Sequence, residues 1–108
     1  MKVELFWWEG CPSHPEALEQ LKRVLREEGV DPETVDQVEV VSDEQAERER
    51  FFGSPTIRID GEDVVPPGEG APVGLSCRVY RLRDGQPSPV PDIEDVRAAV
   101  RRRIYAAR

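Results

Sequence analysis

A chain of 108 residues has room for one domain, residues 1–108, and one modest core. With 38% hydrophobic and 34% charged residues it reads as a globular protein rather than a disordered one. Its net charge of −7 argues against nonspecific nucleic-acid binding, which needs a positive field, and no apolar run nears the roughly 18 residues of a membrane span.

Glu4 and Glu9 interrupt the early apolar stretch, so the N-terminus reads as a strand rather than a secretory leader, and the cytoplasm is the expected compartment. Val3, Leu5, Phe6, Trp7 and Trp8 make the mostly apolar run that a central strand requires, and Glu9-Gly10 ends it. A helix follows. Ser13 and Glu16 have capping-box spacing and Pro15 falls in the first turn; a start with Cys11 as the cap and Pro12 at the first helical position stands beside it. Ala17, Leu18, Leu21, Val24 and Leu25 form one apolar stripe, and Gly29 is the terminator.

Val35 to Val41 predict a second strand. Ser42 and Gln45 repeat the capping-box spacing and open a short helix through about Phe52, ended by Gly53. Thr56-Ile57-Arg58-Ile59 alternates as a strand, Asp60-Gly61 is a two-residue hairpin signal, and Val64-Val65 is the return strand. Residues 66–76, rich in Gly and Pro, predict a loop; residues 77–83 are a candidate strand before the turn Asp84-Gly85. Asp92 then caps a helix carrying Ile93, Val96, Val100 and Ile104 at helical spacing. Arg78, Arg81 and Arg83, and Arg101 to Arg103, read as solvated faces, while Tyr80 and Tyr105 read as packing residues. The pattern predicts an α/β domain: a central mixed sheet whose first three strands are parallel, an added antiparallel hairpin strand, and helices on both faces.

This element order resembles that of the thioredoxin-like superfamily. Gly10-Cys11-Pro12-Ser13-His14 lies where thioredoxins carry C-x-x-C, and Gly53-Ser54-Pro55-Thr56 lies where they carry a cis-proline beside the active-site cysteine. The pattern Gly10 to Pro12, Gly53 to Gly61 and Ser76 to Tyr80 is similar to that of small bacterial thioredoxin-like proteins. The resemblance implies that Pro55 is cis and that the Ser54 backbone offers its N–H and C=O to an extended substrate, with Pro12 also in contact. One departure matters: His14 replaces the second cysteine, so a dithiol cycle inside this motif is excluded.

Chemistry centres on Cys11. A helix start supplies free N–H donors and partial positive charge, which favour the reactive thiolate. His14, on the same turn, stabilises that thiolate as imidazolium or relays a proton when neutral, or is simply a first-turn polar residue. Cys77 is the other thiol, and three arrangements stand open. It meets Cys11 as a distant resolving cysteine in thiol–disulfide exchange; it joins Cys11 and His14 as a soft-metal ligand set; or it is an unpaired strand residue on a non-catalytic binding domain. Trp7 and Trp8 point to opposite faces of their strand, one into the core and Trp8 toward the Cys11 site. The redox reading makes Cys11 the nucleophile and Cys77 the resolving thiol, with a protein or low-molecular-weight thiol or disulfide as substrate and no cofactor, nucleic acid or membrane partner.

Overall fold

The computed structural model describes residues 1–106. The chain begins with β1 (Val3–Trp7), which becomes the inner strand between β2 (Val35–Glu39) and β3 (Thr56–Ile59). The short strand β4 (Glu62–Asp63) completes a four-stranded sheet in the order β2-β1-β3-β4. The helices α1 (His14–Glu27), α2 (Asp43–Glu49) and α3 (Ile93–Ala106) alternate with these strands.

The two-residue periodicity of β1 divides the interior. Val3 and Leu5 face α1 and α3, where they join Leu21, Leu25, Ile57, Val96 and Val100 in the main core. Phe6 faces the other side and packs with Val40, Phe51 and Ala46 of α2 in a second, smaller cluster. Helices therefore cover both faces of the sheet. Ion pairs from Arg97 to Glu27 and from Arg101 to Glu28 clip α3 to the end of α1.

Strand direction departs from the expectation. β2 runs parallel to β1, but β3 runs antiparallel to it, with Ile57 opposite Leu5 and Ile59 opposite Val3. Alternation assigns residues to faces but reads the same in either direction, so it cannot set polarity. The intervening α2 has 7 residues. Such a helix advances about 10 Å, close to two interstrand spacings, so it carries the chain across β1 rather than back along it. Arg58 secures this crossing: its guanidinium donates to the Glu49 and Arg50 carbonyls and lies over the Phe6 ring.

Several boundaries also shift. The Asp60-Gly61 turn forms as expected, with φ of 52° and 84°, and pairs Ile59 with Glu62; the return strand therefore starts earlier than Val64. Helix α2 stops at Glu49 because Arg50 turns left-handed at φ 51°. Ser42 caps it through a bond from the Gln45 N–H, as the capping box predicts. Ser13 does not do the same for α1: its backbone is already helical and its hydroxyl makes no cap bond. Of residues 77–83, only Tyr80–Arg81 forms a strand, β5, paired with β6 (Pro87–Ser88) in a separate ladder. Among the described residues no helix is long and apolar enough to cross a membrane.

Candidate functional site

Three stretches of chain meet at one end of β1: the loop into α1, the segment before β3, and the segment before β5. Ser54 joins them. Its peptide bond to Pro55 is cis, as the resemblance implies. Its hydroxyl accepts the Trp8 N–H at 3.0 Å. Its carbonyl oxygen accepts both the Cys11 thiol at 3.3 Å and the Arg78 N–H at 2.9 Å. Its own N–H donates to the Ser76 carbonyl at 2.8 Å.

These bonds correct one expectation. The Ser54 N–H and C=O do not stand open for an extended substrate; residues 76 and 78 of the same chain already hold them. The pairing is a parallel bridge between Ser54 and Cys77. It brings the Cys77 thiol near Cys11, so two thiols that are 66 positions apart in the numbering become neighbours. Both are free cysteines.

The two sulfurs have unlike surroundings. Cys11 is 2% exposed, whereas Cys77 is exposed and lines an open cleft of about 320 Å³ together with Phe52, Pro66, Pro67 and Pro72. Burial pushes the Cys11 thiol up. Hydrogen bonds from the Ser13 N–H, the Cys77 thiol and the Ser54 and Ser13 hydroxyls outweigh burial and leave Cys11 below the ordinary thiol value. Cys77 moves the other way: its bond to Cys11, then burial and the Cys11 charge, push it up. The first proton to leave the pair therefore comes from Cys11, which then gives up its bond to the Ser54 carbonyl.

The 76–80 segment is anchored from behind by Arg78. Its guanidinium pairs with Asp63 at 2.7 Å, donates to the Val65 carbonyl, and lies over the Tyr80 ring. Tyr80 donates its hydroxyl to the Pro55 carbonyl at 2.5 Å. Burial pushes the Tyr80 phenol far up, so it remains a protonated donor. Gly53, at φ 124°, lets this segment come close: a Cβ there would meet the Arg78 backbone N at 3.1 Å. Thr56 closes the turn by donating its hydroxyl to the Gly53 carbonyl at 2.6 Å.

Arg78 is a buried cation rather than part of a solvated face, and Tyr80 does more than pack: both belong to the scaffold behind Cys77. The available signal was their spacing. Residues i and i+2 of an extended segment share a face, so Arg78 and Tyr80 turn the same way and can turn inward together.

The remaining candidates separate from the thiol pair. His14 stacks on the Trp7 indole, ring centroids 4.2 Å apart, with its Nδ1 buried and unpartnered; it is not among the groups that stabilise the Cys11 thiolate. Pro12 is exposed beside Cys11. Trp8 joins the site through its backbone: its carbonyl accepts the Cys11 N–H at 3.0 Å, while its indole packs over Gly10 and against the α2-side cluster. Among the described residues no three His, Cys, Asp or Glu side chains are grouped to hold a metal ion, so the Cys11–His14–Cys77 ligand set is not assembled. No protein-family model, curated protein or solved structure matches this chain, so its chemistry is read from Cys11, Ser54 and Cys77 themselves.

Proposed function

We propose that this protein is a thioredoxin-like thiol–disulfide exchange protein whose redox unit is the Cys11–Cys77 pair. The observation that carries the proposal is the double use of the Ser54 carbonyl, which holds the Cys11 thiol and the Arg78 N–H at once and so presents Cys77 to Cys11. The sheet order β2-β1-β3-β4 and the cis bond before Pro55 support the likeness to thioredoxin.

Cys11–SH and Cys77–SH together reduce one substrate disulfide, R–S–S–R′, to R–SH and R′–SH. The two thiols lose their protons and two electrons and become Cys11–S–S–Cys77. Each half-step is an attack of a thiolate on a disulfide sulfur through a mixed disulfide. The reverse reaction, with a low-molecular-weight disulfide as oxidant, restores the substrate's bond. The second cysteine absent from the C-x-x-H motif is thereby supplied from the far side of the cis-proline segment.

The test is stoichiometry. Reduced wild-type protein mixed with a disulfide-bridged peptide releases peptide thiols while losing both of its own. The variants Cys11→Ala and Cys77→Ala lose this two-electron reaction. Release no faster than from free cysteine, or undiminished release by Cys77→Ala, contradicts the proposal.

A further inference from the structure

We infer that substrate is held at Cys77, not Cys11: the mixed disulfide forms on the exposed sulfur beside the cleft, and buried Cys11 is the internal partner that leaves and returns. This deepens the thiol–disulfide reading above and rests on it. It reverses the order suggested by the sequence, where the cysteine at the helix start is the attacking group.

In disulfide exchange the attacking sulfur, the attacked sulfur and the leaving sulfur lie roughly in line. An attack on Cys11 with Cys77 leaving must come from the side of Cys11 away from Cys77. Cys11 as a whole is 2% exposed, and its sulfur lies against the Ser54 carbonyl. An attack on Cys77 with Cys11 leaving comes from outside, where Cys77 is exposed and borders the cleft of about 320 Å³.

Leaving-group chemistry favours the same order. The sulfur that departs carries the electron pair, and a thiol of lower pKa departs faster. The Ser13 N–H and the Ser54 and Ser13 hydroxyls, with the Cys77 thiol, bring the Cys11 pKa below the ordinary thiol value despite its burial. The departing charge therefore falls on the sulfur that already has donors around it.

A substrate thiolate R–S⁻ attacks the Cys77 sulfur of the oxidised protein. The R–S–Cys77 bond forms, the Cys11–Cys77 bond breaks, and Cys11 takes the electron pair as thiolate. A second substrate thiolate then attacks the R sulfur, giving the substrate disulfide and releasing Cys77, which takes up a proton. The substrate dithiol is oxidised by two electrons and the protein is reduced by two. A low-molecular-weight disulfide reoxidises the protein by the same route in reverse, with the adduct again on Cys77.

The experiment uses oxidised wild-type protein, whose Cys11–Cys77 cross-link is first verified by intact mass and peptide mapping. It is mixed with glutathione, quenched in acid within the first turnover, alkylated and mapped. The expected result is glutathione on Cys77 and alkylating label on Cys11, in about tenfold excess over the reverse pattern. Glutathione on Cys11 in equal or greater amount overturns the inference and leaves the redox reading standing. Failure of the wild-type chain to form the cross-link overturns both.

Discussion

Cys11 is 2% exposed yet its pKa lies below the ordinary thiol value, because donors take the place of water around it. One of them is Cys77, which makes the pair testable residue by residue. Cys77→Ala removes a donor from the Cys11 sulfur, so the Cys11 pKa rises; Cys77→Ser restores a donor and brings it back toward wild type. The thiolate, followed by its ultraviolet absorbance or by alkylation rate against pH, is then present from lower pH in wild type than in Cys77→Ala. Equal titration curves would show that Cys77 does not reach the Cys11 sulfur. Cys11 and Pro55 were legible in the sequence because each sits in a local pattern: a helix entry in one case, a Gly-Ser-Pro-Thr turn in the other. His14 was not. Its position on the first turn is local, but the Trp7 ring it stacks on depends on how α1 lies over β1.

At the scale of elements, the site depends on a segment with almost no regular structure. Residues 76–78 form a single bridge to Ser54, and β5 has two residues. What holds them is the Arg78–Asp63 pair, reaching from β4 to the chain before β5. Burial pushes the Asp63 carboxyl up even with Arg78 beside it. Arg78→Met leaves that carboxylate buried and unpaired, at a cost of about 3–5 kcal/mol. The loss has a pH signature. With its folded pKa raised, Asp63 contributes stability that is fully present below the ordinary carboxylate range and is lost as pH rises through the raised value. Urea unfolding of Arg78→Met should therefore show its largest deficit near neutral pH and a smaller one in mild acid. A deficit that grows as pH falls would contradict this account of the pair. The sequence could not name the pair, because the partners lie fifteen residues apart across a Gly/Pro-rich loop that has no period to read. The polarity of β3 escaped for a related reason: Thr56 to Ile59 alternates identically whichever way the strand runs, and the short α2 settles the matter only once its length is seen against the sheet.

For the whole molecule, the fold brings together two thiols that local structure alone would leave far apart. Closing a loop of roughly 65 residues in an unfolded chain costs about 4 kcal/mol of entropy. The folded chain has already met that cost through the two cores, the cis-proline turn and the Arg78 anchor. The cross-link should thus form far more readily in the native protein than in the same chain unfolded, and either substitution at Cys11 or Cys77 should abolish it. The most direct measurement is a redox titration. Wild-type protein is equilibrated across a series of reduced-to-oxidised glutathione ratios, natively and in denaturant, then quenched in acid, alkylated and resolved by intact mass and peptide mapping. The account predicts that the native protein passes from dithiol to a Cys11–Cys77 disulfide in one two-electron step, at more reducing ratios than the unfolded chain requires. Glutathione accumulating on separate cysteines with no Cys11–Cys77 cross-link, or a cross-link no more favourable in the native state than in denaturant, would contradict it.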